Sequence, residues 1–284
     1  GVVWYQGESN GDFTETAQVY DSMLRDLVDG WRARWGQAEM PWYLVQLPCW
    51  NSPHSGQWPW VRQGQLIASR TIPEVGMVTT CDIGDASNLH PTQKREVGER
   101  LAKLILARNY GRNLVCSGPT VQSVSRLGKK LRIEFATGGA PIRFKHAAWK
   151  NVEIAGENGV YYRATTTLND NVATVSSKEV TLPYAIRYGW TKEFRPSRFN
   201  EAGLPASQFS LVILPGGVFE LLNNEASPIM PLPSECWCAS GDSITHNGGY
   251  LKTIFLYCAT RFPSNRFDLL NCGSGGDTAD GTLN

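Results

Sequence analysis

The two ends of this chain share one hydropathy pattern and its middle has another, which limits the fold more than any other feature. Val2 to Gln6 (VVWYQ) is a short apolar run, and Asp12 to Arg34 then carries apolar residues at helical spacing through Ala17, Tyr20, Met23, Leu24, Leu27 and Trp31. Trp42 to Pro48 and Gly76 to Gly84 are further buried-strand runs, with helices predicted around Gln63 to Arg70 and at Gln93 to Arg108. Short strands alternating with helices predict a parallel sheet covered on both faces. At the far end ECWCASGDS supplies another strand, YLKTIFLYCATRF a helix, and FDLLNCGSGGDT a second strand ending in glycines. Between them, from about Gly118 to Pro233, segments such as KLRIEF, VYYRATTTL and VATVSS alternate between turn signals, the pattern of an all-β module. The close of that module, Leu204 to Pro233, is rich in Pro, Gly, Ser and Asn and reads as a linker.

Composition narrows the function. The 284 residues, 42% hydrophobic, suffice for one large domain or two ordinary ones. With 27 basic against 26 acidic residues and no basic stripe, neither nucleic acid nor an anionic membrane is an expected partner. The 7 cysteines are scattered and odd in number, and no CxxC pair or paired histidines occur, so neither a disulfide scaffold nor a metal site is expected. No run approaches about 18 apolar residues, so no membrane span is expected. The start GVVWYQG has no basic n-region and no Met, which leaves localisation open.

Two serines sit in nucleophile-like turns. Ser243, in GDSITHNGG, follows the carboxyl end of a predicted strand, the end where open α/β sheets place their chemistry. The competing reading is a serine that caps the following helix. Ser9, in GESNG, satisfies GxSxG between a strand and a helix. Only eight residues precede it, too few for the upstream strands that such an elbow requires, so a helix N-terminal turn is the stronger reading for Ser9. A base must come from His54, His90, His146 or His246. His246 is pinned to the turn of Ser243, His146 lies in the β module, and His54 lies in a polar loop that could border a substrate cleft. His90, in CDIGDASNLHPTQK, follows a buried strand at the mouth of a helix and is the best placed base. Asp85 is the favoured acid to orient it, with Asp82 or no acid as alternatives, and Asp85 with Asn88 could instead simply build the turn.

Taken together, these segments resemble the blocks of the SGNH (GDSL) hydrolase superfamily. GDSITHNGGYLKTIFLYCATRFP resembles its serine block and NCGSGGDTADG its glycine block, while VVWYQGESN and DIGDASNLHPTQKREVGERLA resemble the third and fifth blocks as found in sialate O-acetylesterases and related carbohydrate acetylesterases. AIRYGWTKEFRPSRFNEAGLPASQF resembles the closing segment of the same enzymes. The resemblance implies Ser243 as nucleophile and an oxyanion hole made of the Ser243 and Gly276 N–H groups with Gln6, and Asn10 as a lesser donor. It implies a flavodoxin-like sheet, a serine acyl-enzyme mechanism without metal or organic cofactor, an acetylated carbohydrate or small acetyl ester as substrate, and a secreted or periplasmic setting. Two departures stand out. Ser87 occupies the position three before His90 where the family has its acid, and the order of blocks is Gln6, His90, β module, Ser243, Gly276 rather than serine first.

The halves are complementary: residues 1–112 lack the two opening strands of such a domain, and residues 236–284 hold those two and stop. Their sum, roughly 160 residues, suits one domain. The expectation is an SGNH hydrolase assembled from both ends, with the strand of Ser243 beside Val2 to Gln6 and residues 113–235 inserted as a β-sandwich-like module and linker. A permuted chain buries the same apolar area and changes only loop closure, which grows slowly with length. A homo-oligomer that exchanges these segments would serve as well. Trp4 and Trp50, with His54, are the expected sugar contacts. The rival function of another class is a non-catalytic carbohydrate-binding β module flanked by hydrolase fragments; within the esterase reading, the rival is a short-chain lipolytic esterase or thioesterase.

Overall fold

A computed structural model describes residues 1–144, 149–213, 219–221, 237–241 and 269–271, the last three segments by their backbone. It divides into two compact units, residues 1–114 with 223–284, and residues 115–222.

In the first unit β1 (Val2–Tyr5), β2 (Trp42–Val45) and β3 (Val75–Val78) alternate with α1 (Thr14–Gln18), α2 (Tyr20–Trp35), α3 (Trp58–Thr71) and α4 (Lys94–Asn109). The predicted helix over Asp12 to Arg34 is interrupted at Val19, which leaves the helical region at φ −109 and ψ 14. Helix α2 buries Tyr20, Leu24, Leu27 and Val28, one stripe at helical spacing. That stripe packs with Val2 and Trp4 of β1, Trp42 and Leu44 of β2, and Val61 and Ala68 of α3. The alternate residues of β1 face the other way, where Lys94 of α4 lies 5.4 Å over the Tyr5 ring. Both faces of the sheet are therefore covered, which is why all four residues of β1 and of β2 are buried.

Two late strands complete this sheet: β15 (Trp237–Gly241) and β16 (Leu269–Asn271). Strand order is β16-β15-β1-β2-β3 and every pairing is parallel. The register of β1 on β15 runs from Val2 opposite Cys238 to Tyr5 opposite Gly241. Without β15, the edge of β1 would present unpaired backbone groups.

The second unit is antiparallel. Strands β4 (Thr120–Leu127), β5 (Lys130–Ala136), β9 (Thr165–Asn169) and β10 (Val172–Ser176) form one sheet in the order β4-β5-β10-β9. Strands β7 (Val152–Ala155), β8 (Tyr161–Arg163), β11 (Ala185–Tyr188), β13 (Phe209–Ile213) and β14 (Phe219–Leu221) form the other, in the order β14-β13-β11-β7-β8; β6 (Ile142–Phe144) pairs with β12 (Arg198–Asn200). Along β5, Leu131, Ile133 and Phe135 point inward and their neighbours outward, as alternation predicts. Trp149 joins the Phe135 ring at 5.3 Å and the Tyr188 ring at 5.1 Å. The linker expected from Leu204 to Pro233 is corrected here: Phe209–Ile213 is a buried strand within the second sheet. Its five residues form a continuous apolar-rich run that the surrounding Pro, Gly and Ser obscure. Among the described residues no helix is long and apolar enough to cross a membrane.

Candidate active site

The carboxyl ends of the parallel strands gather most of the residues singled out by the sequence. Gln6 follows β1 directly and is fully buried. Its side-chain Nε2 donates to Asn10 Oδ1 at 2.8 Å. The Tyr20 hydroxyl, reaching up from α2, lies 2.7 Å from Gln6 Oε1 and 2.8 Å from Gln6 O, and accepts from the Trp4 indole N–H at 3.2 Å. Gln65 of α3 ties this corner to the next strand: its Nε2 donates to Gln6 O and Val45 O, and its Oε1 accepts from Leu47 N at 2.9 Å. A buried amide held by this many partners has one orientation available to it.

The Gly7 to Gly11 turn has a steric explanation. Gly7 sits at φ 142, and a Cβ there would come 2.6 Å from Val61 Cγ1, so only glycine lets the chain turn so close to α3. Ser9 then opens a 3₁₀ turn over Ser9–Asp12. The second glycine of the GxSxG spacing has a packing reason too, since a Cβ on Gly11 would collide with Trp58 Cδ1.

The loop after β3 carries His90, and its two ends differ. Its root is clamped: Thr80 Oγ1 donates to Gln46 O at 2.5 Å, and Arg100 of α4 grips Asp82 through both oxygens at 2.6 and 2.7 Å. Cys81 is fully buried, and that burial pushes its thiol up to about 12, with the nearby Arg62 charge opposing only in part. Gly84 allows the loop to lie against the segment after β2, since a Cβ there would stand 2.6 Å from Pro48 Cβ. Asn51 N donates to Ala86 O at 2.8 Å, holding the loop over the end of β2. The tip is different, for Asp85, Ser87, Asn88 and His90 are all exposed. Asp85 Oδ1 accepts from Ser87 N at 2.9 Å and Ser87 Oγ at 2.7 Å, and Asn88 Oδ1 accepts from His90 N at 2.9 Å. Asp85 and Asn88 therefore do build the turn, while Asp82 is engaged by Arg100.

The segment after β2 is held from below by the buried Arg62, which donates to Leu47 O at 3.1 Å and Pro48 O at 2.8 Å. Burial lowers the pKa of that guanidinium, which nonetheless stays cationic. Trp50 is half-buried with its ring 5.2 Å from that of Trp58, and His54 is exposed beyond it. Near His54 lies Asp12, whose carboxyl is raised by partial burial, an effect His54 offsets in part. Trp4 is corrected from sugar contact to core residue: it is fully buried and packs 6.3 Å from the Trp42 ring. Ser243 and Gly276 lie outside the described residues, Ser243 two positions beyond the end of β15. Among the described residues no group of His, Cys, Asp or Glu could hold a metal ion.

Sequence reasoning missed Tyr20 and Gln65. Both were read through helical periodicity, which registers a tyrosine or a polar helix residue without showing where its polar end goes. A tyrosine on a buried stripe does carry a signal, because its hydroxyl needs a partner there.

Residues 1–107 match the family described as carbohydrate esterase, sialic acid-specific acetylesterase. Sialate O-acetylesterase of Pongo abelii is 29% identical over 241 residues, which cover 74% of this chain and 45% of that protein. The Homo sapiens sialate O-acetylesterase is 28% identical over 249 residues, covering 76% and 46%. The chain thus spans somewhat under half the length of these relatives. The crystal structure of a carbohydrate acetylesterase from Xanthomonas citri superposes with a TM-score of 0.67 at 31% identity, over 74% of this chain and 49% of that one. In sequence the chain is sialate O-acetylesterase-like, and in fold it resembles a carbohydrate acetylesterase.

Proposed function

We propose that this chain is a serine esterase that removes O-acetyl groups from carbohydrates, with one α/β domain built from its two ends. The observation that carries this reading is the parallel pairing of β1 with β15, Tyr5 opposite Gly241. Gln6 is one residue past its strand and Ser243 two past its own, and a strand advances only about 3.3 Å per residue. In this reading donor and nucleophile share the carboxyl end of the sheet. The order β16-β15-β1, with the glycine-rich tail following β16, is the neighbourhood that an oxyanion hole of Ser243 N–H, Gly276 N–H and Gln6 needs. The same pairing made between two chains would give the same pocket in a homo-oligomer.

In this mechanism Ser243 Oγ attacks the acetyl carbonyl as His90 takes its proton. The two backbone N–H groups and the Gln6 amide receive the oxyanion, each such donor being worth about 100- to 1000-fold in rate. Collapse expels the sugar oxygen, which takes the proton from His90, and water then releases acetate from Ser243 by the reverse sequence. Asn10, whose Oδ1 accepts from Gln6, acts here as a positioning residue. Trp50 and His54 border the acyl-acceptor side. Asp85 orients His90 once the imidazolium forms.

Hydrolysis of p-nitrophenyl acetate by the wild type and by Ser243→Ala tests the reading. We expect a loss of at least about 1000-fold in the variant with an unchanged melting temperature. Activity that survives Ser243→Ala and disappears in Ser9→Ala would assign the nucleophile to the other turn, and octanoyl esters cleaved faster than acetyl esters would favour the lipolytic alternative.

A further inference from the structure

The β unit carries an open groove of about 530 Å³ that none of the esterase chemistry uses. Its volume suits a ligand of one or two sugar rings. Glu153 of β7, in its lining, is opposite Arg187 of β11 on one side and Arg163 of β8, also in the lining, on the other. Glu153 Oε2 accepts from Arg187 Nε at 2.7 Å, so its charge is matched within the sheet. Arg163 and Lys150, both exposed and both lining the groove, add positive charge beyond that pair. The groove is therefore net cationic.

Its aromatic lining is Trp190 and the buried Trp149. The Trp190 indole is half-buried in the lining, and the Arg187 guanidinium lies 5.9 Å from its ring centroid and 4.0 Å from that of Tyr161. Such cation–π contacts restrain the aromatic rings. Asn151 and Thr165 contribute an amide and a hydroxyl beside it. One flat aromatic face among hydrogen-bonding groups matches a pyranose, which has an apolar C–H face and a hydroxylated edge. Surplus guanidinium and ammonium charge matches a carboxylate, which arginine binds through paired, charge-assisted hydrogen bonds.

We propose that this groove is a binding site for a carboxylated sugar, with the ring on Trp190 and the carboxylate on Arg163 and Lys150. The site does not rest on the esterase reading, since every lining residue belongs to the β unit. The test is titration of the full chain with the methyl glycoside of N-acetylneuraminic acid, followed by calorimetry and saturation-transfer NMR. Methyl galactoside serves as the neutral control.

Trp190→Ala and Arg163→Gln should each weaken binding about tenfold, the loss of one good contact, while p-nitrophenyl acetate hydrolysis stays at the wild-type rate. The neutral glycoside should bind several-fold more weakly than the acidic one. Should Trp190→Ala lower the melting temperature, the exposed Arg163→Gln decides. Wild-type affinity in Arg163→Gln, or equal affinity for both glycosides, would overturn the proposal. Loss of ester hydrolysis in Ser243→Ala with groove binding intact would separate the two functions; an inactive wild type that still binds through Trp190 would sink the esterase reading and keep this one.

Discussion

Gln6 and His90 both lie past the carboxyl ends of strands of one sheet, yet their surroundings are opposite. Gln6 is fully buried and its amide is fixed by Tyr20 and Asn10. His90 is exposed on the tip of a loop, and its backbone N–H donates to Asn88 Oδ1. The contrast suits the two tasks proposed for them. An oxyanion donor acts by being in place before charge develops, so reorganisation is a loss. A base must give and receive a proton within each cycle, a task that suits an imidazole exposed to solvent.

The largest effects should separate these environments. His90→Ala is expected to lower kcat/KM for p-nitrophenyl acetate by about 100- to 10,000-fold while leaving thermal unfolding within a degree or two of wild type, because the side chain it removes is exposed. Gln6→Ala should lower kcat by about 100- to 1000-fold and also destabilise the fold by about 1–3 kcal/mol, the usual cost of stripping buried groups of a hydrogen-bond partner. Equal stability losses in the two variants would break the comparison. Tyr20→Phe sharpens it: the ring stays in the core, the tie to Gln6 Oε1 is lost, and kcat should fall more than KM rises.

The strands on which this comparison depends were legible in the sequence, because Val2 to Gln6 and Trp42 to Pro48 are apolar runs and buried parallel strands need apolar residues on both faces. The position of β15 beside β1 was legible in the complementarity of the two ends, since an unpaired β1 edge would be costly. The environment of Gln6 was not legible. Its partners Tyr20 and Gln65 are 14 and 59 residues away, and no local pattern encodes such a meeting. Trp4 misled for a related reason: a tryptophan next to a site motif looks like a sugar platform until the burial of alternate strand residues is known. Phe209–Ile213 was lost to its neighbours, because turn-forming residues on both sides outweigh five residues of strand in any window wide enough to call a linker.

The acid of the proposed triad gives the next largest contrast. Asp85 is exposed and shared with Ser87, whereas Asp82 is mostly buried and held through both oxygens by Arg100. Asp85→Asn should reduce kcat by about tenfold, a modest effect because water and Ser87 already solvate that carboxylate. It should leave unfolding nearly unchanged. Asp82→Asn should do the reverse, destabilising by up to about 3 kcal/mol as Arg100 loses its bidentate partner, with activity falling only as the loop root loosens. A large catalytic loss in Asp82→Asn at unchanged stability would move the acid from the tip to the root.

The smallest expected effect tests whether the loop is rigid at its root. Cys81 is buried beside Arg62, and its thiol is raised to about 12 from an ordinary 9.0. At mildly alkaline pH it is therefore a protonated thiol without access to solvent, and only the thiolate reacts. Iodoacetamide treatment of the native protein, read by peptide mass mapping, should leave Cys81 unmodified while the half-buried Cys116 is labelled; both should react in denaturant. The linkage has a definite sign. Below about pH 9 the thiol is protonated in both states and adds no pH dependence, but between about 9 and 12 only the unfolded chain ionises, so this group removes about 1.4 kcal/mol of stability per pH unit. Rapid native labelling of Cys81 would mean that the root opens on the timescale of the reaction, and the exposed tip with His90 would then move with it rather than on it.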